Sequence, residues 1–311
     1  MERAKPSFAI MGSGGVGGYF GARLARGGFE TAFVARGAHL QAIRQSGLRV
    51  EGADECFSVH PRATDGPEEI GHVDFVLFAV KLWDTEAAAA ACRPLLGPNT
   101  GVLVLQNGVN SVEMLAPILG HASIIGGVAE ISATIAQPGL IKRASSRQLI
   151  QLGELDGTRS ARAERLACAL SQAGIETEHS ADIGIAIWNK FVFLTGLSAM
   201  TALTRHPVGR VRADPDTRAL LEQIMTEALR VAQAAGVPIH DEVVAERLHF
   251  IDGLAGQTRA SMAVDLSAGR RLELPWLSGA VVRKGAECGV PTPANAFVCK
   301  ALKLDVMGTQ G

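Results

Sequence analysis

Gly12-Ser13-Gly14-Gly15-Val16-Gly17 has the spacing of a turn that cradles phosphate. In G-x-G-x-x-G the first glycine makes a tight turn and the second lets the backbone approach a pyrophosphate. The third lets the following helix pack closely on the preceding strand. The free N–H groups and positive dipole end of that helix then face the phosphates. In a chain with 35 glycines the pattern alone is weak, because a purely structural turn uses the same residues. Its position decides the reading. The apolar run Ser7-Phe8-Ala9-Ile10-Met11 precedes it as a buried parallel strand would, and a helical pattern from Val16 to Arg26 follows. The end of the next strand selects the dinucleotide. An NAD site usually carries Asp or Glu there to bind the ribose 2′-hydroxyl. Phe33-Val34-Ala35-Arg36 has no acid, and the Arg36 guanidinium can fork onto a 2′-phosphate. NADP(H) is therefore the expected cofactor. The plain alternative for Arg36 is a surface arginine at a strand end.

Three other residues have chemistry in view. Lys190 is followed by Phe191, Val192, Phe193 and Leu194. An ammonium among such neighbours is poorly solvated, which lowers its pKa; the alternative is a lysine reaching out from an amphipathic helix end. Glu273 stands in Arg270-Arg271-Leu272-Glu273-Leu274-Pro275, where the simplest role is a first-turn helix carboxylate. Asn107 follows a strand, a place for a turn residue or for a ligand at the carboxyl end of a parallel sheet. The eight histidines show no metal spacing and read as surface or capping residues. The five cysteines, Cys56, Cys92, Cys168, Cys288 and Cys299, have no C-x-x-C pair, which speaks against a disulfide framework or zinc site and fits a reducing cytoplasm. Arg205-His206-Pro207-Val208-Gly209-Arg210-Val211-Arg212 lacks aromatic platforms for nucleic acid and reads as a solvated turn between helices.

The elements that must hold these residues divide the chain in two. Strand and helix signals alternate up to about residue 179, with the clearest strand at Val73–Val80, another at Gly101–Gln106 and a helix at Thr85–Leu96 between them. That order implies a parallel sheet with right-handed crossovers. From Ser123 to Gly153 the segments are β-rich, and a helix over Arg159–Ala173 closes the domain. Beyond His179 strand signals vanish. Helices are expected at Ile183–Leu203, Asp216–Ala235, Asp241–Leu254, Glu273–Cys288 and Pro293–Leu304, with prolines at their edges. The expectation is α/β: a Rossmann-type parallel-sheet domain over 1–179 and an all-helical domain over 180–311. A length of 311 residues suits two cores, and a net charge of −1 gives no general pull toward nucleic acid or anionic lipid. No apolar stretch is expected to span a bilayer, and Met1 to Pro6 leaves no room for a secretory signal.

Gly12 to Gly17, Ala79-Val80-Lys81, Gln106-Asn107-Gly108, Trp188-Asn189-Lys190 and Glu273, in this order and spacing, resemble the ketopantoate reductase (2-dehydropantoate 2-reductase) family along nearly the whole chain. The resemblance implies a Rossmann domain and a helical domain with the active site in the cleft between them, reduction of a 2-oxo acid by NADPH, and a place in pantothenate biosynthesis. It implies Lys190 as the catalytic lysine and proton donor, and Glu273 as the active-site glutamate. Ser261, twelve residues before Glu273, corresponds to the substrate-binding serine. Lys81 and Asn107 correspond to residues near the nicotinamide and the substrate.

The chain departs from that family at two substrate-facing positions. Pantoate-forming members carry asparagine four and eight residues after the lysine, on one helix face. Here they are Leu194 and Ser198. Leucine cannot hydrogen-bond and serine is short, so the substrate expected is a more apolar or larger small-molecule 2-oxo acid. Two alternatives stay open at this stage: a 2-hydroxy acid dehydrogenase of the same family working in the oxidative direction, and a non-catalytic NADP(H)-binding regulatory protein. A homodimer is compatible with a helical second domain, although no unpaired apolar stripe is legible.

Overall fold

The computed structural model describes residues 5–309. They form two compact units, one made by the chain up to Asn107 with Ser111–Ile183, the other by Gly108–Asn110 with the chain from Gly184 onward. The division falls at Ile183/Gly184. A boundary at 179 followed from the last strand signal, whereas contacts carry the α/β unit through the first residue of the next helix.

The α/β unit runs β1 (Phe8–Met11), α1 (Gly15–Arg26), β2 (Thr31–Val34), α2 (Gly37–Ser46), β3 (Leu48–Glu51), β4 (Cys56–Val59), β5 (Arg62–Thr64), β6 (Val73–Phe78), α3 (Thr85–Cys92) and β7 (Leu96–Val104). It continues with α4 (Ser111–Leu119), β8 (Ile124–Glu130), β9 (Ala133–Gln137), β10 (Leu140–Arg143), β11 (Leu149–Gly153), α5 (Ala161–Gln172) and β12 (Glu176–His179). The main sheet has the order β12-β11-β8-β7-β6-β1-β2-β5. Its neighbours are parallel except where β11 meets β8. Central strands are apolar on both faces because both faces are covered. Phe8, Ile10, Phe75 and Leu77 enter one core, and Ala9, Met11, Val76 and Phe78 enter the other. This alternation is the period-two geometry of a strand.

A second sheet, β4-β3-β10-β9, packs on α1. Its strands are short and partly polar, so only the β-rich character of residues 123–153 was legible. Burial of Arg143 joins this sheet to α1. Its guanidinium pairs with Asp54 and, at 2.9 Å, with Glu55. Glu55 also accepts hydrogen bonds from the Tyr19 hydroxyl at 2.7 Å and Arg23 Nη1 at 2.9 Å. Burial and the Glu55 carboxylate push the Tyr19 phenol up to about 12.

The helical unit contains α6 (Ile183–Leu203), α7 (Val208–Ala213), α8 (Pro215–Ala234), α9 (Val243–Gly253), α10 (Ser261–Ser267), α11 (Ser278–Cys288) and α12 (Pro293–Ala301). Its core gathers Phe191, Val192 and Met200 of α6 with Leu221, Ile224 and Met225 of α8. The start of α8 follows from Asp214, whose side chain accepts from Thr217 N, and from Pro215 at the first helical position.

Three expectations are corrected. Arg205–Arg212 is not a solvated turn throughout: α7 begins at Val208, and Val208 and Val211 are buried. Arg212 Nη1 donates to the carbonyls of Ile251 and Leu254 at 2.6 and 2.8 Å, closing the end of α9. The helix expected from Glu273 begins at Ser278, because a 3-10 turn at Leu274–Trp276 precedes it and Leu277 leaves helical geometry at φ −102°, ψ −103°. Finally, α6 is long and apolar enough to cross a bilayer by length and composition. Lys190 is the one charged residue in α6. Phe191, Val192, Ala199 and Met200 of α6 are at most 1% exposed within this core.

Candidate active site

Four segments named from the sequence lie at the carboxyl ends of four adjacent strands. The glycine-rich turn follows β1, Arg36 follows β2, Lys81 follows β6 and Asn107 follows β7, and these strands are neighbours in the order β7-β6-β1-β2. The chain leaves β1 toward β2 on one side and returns through β6 on the other. In open α/β sheets ligands bind at such a switch point.

The glycines of the turn serve different needs. Gly12 has φ +98°, and a Cβ there would stand 2.7 Å from Val80 N. A Cβ on Gly17 would stand 2.2 Å from the Gly12 carbonyl oxygen. A Cβ on Gly14 would meet nothing within 4 Å, so this glycine borders open space at the start of α1. That start has no side-chain cap and no acidic residue in its first turn. These features suit an anionic ligand on the helix N-terminus. Gly15, the first residue of the x-x pair, is small for another reason: a Cβ there would collide with the Ala133 carbonyl of β9. Val16 is half-buried against the core. Ser13 is buried, and its N–H and Oγ both donate to the Val34 carbonyl, at 3.3 and 2.9 Å. The turn is thereby fastened to the end of β2, two residues before Arg36. Arg36 is exposed and caps α2 with an extended backbone.

Gln106, outside the expected site set, links the other two segments. Its side-chain nitrogen donates to the Val80 carbonyl at 3.0 Å and to Thr85 Oγ1 at 2.8 Å, so the β7 end carrying Asn107 is tied to the β6 end carrying Lys81. The ammonium of Lys81 lies 5.5 Å from the centre of the Trp83 ring. The signal for Gln106 was its place beside Asn107; its burial at 8% exposure was not legible from composition.

The remaining expected residues belong to the helical unit. Lys190 is half-buried on α6, between the buried Trp188 and Phe191, whose rings meet edge to face at 5.4 Å. Leu194, one turn on, is half-buried. Ser198, two turns on, is fully buried, and its hydroxyl has no hydrogen-bond partner among the described residues. Glu273 is buried at 5% exposure, and its carbonyl accepts from Trp276 N and Leu277 N at 3.0 and 3.1 Å. Ser261 is exposed as the first residue of α10. The preceding Ala260 N donates to Thr201 Oγ1 at 3.3 Å, which fixes the start of α10 against α6. Thr201 was not singled out, since an i, i+4 bond to the Leu197 carbonyl is the ordinary use of a helical threonine.

Two sequence comparisons bear on this arrangement. The family described as Ketopantoate reductase PanE/ApbA matches residues 8–157, and its C-terminal counterpart matches 182–305. The 2-dehydropantoate 2-reductase of Mesorhizobium japonicum is 34% identical over 305 residues, covering 91% of this chain and 93% of that protein. The chain belongs to the ketopantoate reductase family. A second relative, the 2-dehydropantoate 2-reductase of Halobacterium salinarum, is 32% identical over 95% of this chain and 97% of its own. Among solved structures, 2-dehydropantoate 2-reductase from Geobacter metallireducens superposes with a TM-score of 0.90 at 32% identity, covering 96% of this chain and 99% of that one. D-mandelate dehydrogenase with NADH and anilino(oxo)acetate shares the ketopantoate reductase fold, with a TM-score of 0.89 at 23% identity over 96% and 97% of the two chains.

Proposed function

We propose that this protein reduces a 2-oxo acid to the 2-hydroxy acid with NADPH, with Lys190 as proton donor. The observation that carries the reading is Lys190 itself, a half-buried lysine on α6 in a family of reductases. The bound nicotinamide supplies a hydride to the ketone carbon. Negative charge then develops on the ketone oxygen, and the Lys190 ammonium stabilises it by a hydrogen bond and passes its proton there. Glu273 accepts a hydrogen bond from the substrate hydroxyl and orients Lys190. Ser261 and Asn107 bind the substrate's polar end. The N-terminus of α1 beside Gly14 would hold the cofactor's pyrophosphate, and Lys81 would serve its nicotinamide end. A regulatory protein that only binds the cofactor has no use for a proton donor.

Arg36 supports NADPH over NADH. The Arg36→Ala variant loses a charge-assisted contact to the 2′-phosphate of about 1.5–3 kcal/mol, an increase of roughly 10- to 150-fold in the NADPH KM with little change for NADH. Initial rates with both cofactors check this. Equal use of NADPH and NADH by the unaltered protein contradicts it.

The substrate side supports an apolar 2-oxo acid in place of ketopantoate. Leu194 offers no hydrogen bond, and Ser198 reaches less far than the asparagine it replaces. Pockets that recognise a hydroxyl depend on such groups. Leu194→Asn, at a half-buried position, raises kcat/KM for ketopantoate. Ser198→Asn adds bulk at a close-packed site and lowers stability by about 1–3 kcal/mol, so Leu194→Asn is the cleaner test. Unchanged ketopantoate turnover in Leu194→Asn removes this residue from specificity.

A further inference from the structure

We propose that His39 is a positioning residue for the cofactor's pyrophosphate, acting by aiming the Gly14 N–H. The inference rests on the NADP(H) reading above. It goes beyond that reading because His39 carries no motif signal and was expected on the surface or at a cap. The ring is half-buried in the first turn of α2, three residues after Arg36.

Both ring nitrogens are engaged. Gly139 N donates to Nδ1 at 3.1 Å, and Nε2 lies 2.9 Å from the Ser13 carbonyl oxygen. A backbone N–H can only donate, so Nδ1 bears the lone pair and Nε2 bears the hydrogen. The imidazole is thus neutral, and it donates to Ser13. Burial, the largest influence, lowers its pKa in the same sense. Gly139 precedes β10 in the turn after β9, and its own carbonyl accepts from Arg49 N of β3 at 2.9 Å. The second sheet therefore sets the tautomer with which His39 addresses the phosphate-binding turn.

The consequence for Gly14 follows from peptide geometry. No peptide bond in the described chain is cis. Across a trans peptide the carbonyl of one residue and the N–H of the next point in opposite directions. Ser13 is fastened to Val34 through its N–H and hydroxyl, and to His39 through its carbonyl. The Gly14 N–H is thereby directed away from His39. Gly14 is the glycine that borders open space at the head of α1.

Two variants of the full chain separate the ring's two bonds. His39→Gln keeps a donor near the Nε2 position. His39→Asn keeps only an acceptor near the Nδ1 position. Binding of NADPH and of adenosine 2′-monophosphate, which lacks the pyrophosphate, is measured by titration calorimetry beside the thermal midpoint. His39→Asn weakens NADPH by roughly 3- to 10-fold, the worth of one hydrogen bond. It leaves adenosine 2′-monophosphate binding unchanged, and His39→Gln restores NADPH to within about twofold of the unaltered protein. Unaltered NADPH affinity in His39→Asn overturns the proposal. So does an equal loss of both ligands with a lowered thermal midpoint, which marks a merely structural ring. An unaltered protein that binds neither ligand contradicts the NADP(H) reading itself, a result distinct from either of these.

Discussion

Lys190→Ala lowers kcat by about 10²–10⁴-fold, the usual worth of a positioned general acid. The loss falls on the chemical step, because the ammonium acts where charge develops on the ketone oxygen. NADPH affinity stays within a few-fold, since the glycine-rich turn and Arg36 belong to the α/β unit and Lys190 to the helical unit. Single-turnover oxidation of bound NADPH, measured beside cofactor titration, separates the two effects. Near-normal turnover in Lys190→Ala removes the residue from the mechanism and makes Lys81 the candidate donor.

Glu227→Ala destabilises the helical unit by about 3 kcal/mol, from three donors at about 1 kcal/mol each. Glu227 of α8 is buried at 4% exposure. Its carboxylate accepts from Ala294 N at 2.8 Å, Asn295 N at 2.9 Å and Asn295 Nδ2 at 2.8 Å. The two backbone donors belong to the first turn of α12, where Thr292 provides no side-chain cap. The carboxylate thus does for α12, from another helix, what a capping side chain does locally. Removing it leaves buried N–H groups without an acceptor. Denaturant titration followed by helical circular dichroism reads the effect. A midpoint equal to that of the unaltered protein contradicts this account of how α12 is anchored.

What the sequence disclosed follows from how local each signal is. The run Phe8–Met11, its glycines and the helix after them are neighbours in the chain, so strand, turn and helix were legible together. The helix over Ile183–Leu203 was legible from its apolar length, and its bounds match those observed. The second sheet was not, because its pairings join β3 and β4 to β9 and β10 across a long stretch of chain. Its strand β4 alternates poorly, with only Val59 buried. At the site, residue types pointed to Gly14, Arg36 and Lys190. His39 and Gln106 act through hydrogen bonds to distant backbone atoms, Ser13 O with Gly139 N and Val80 O, which no spacing rule reveals. Ser198 was placed on the Lys190 face by helical spacing, and its full burial was not legible from that spacing.

The most direct test of a 2-oxo acid reductase with an apolar substrate preference is kcat/KM of the unaltered protein. NADPH oxidation is followed with ketopantoate and with a series of branched and aromatic 2-oxo acids. The expected result is NADPH-dependent reduction of at least one apolar 2-oxo acid, with ketopantoate turned over poorly or not at all. Ketopantoate as the best substrate by a wide margin contradicts the weight placed on Leu194 and Ser198, and no NADPH oxidation with any 2-oxo acid contradicts the reductase itself.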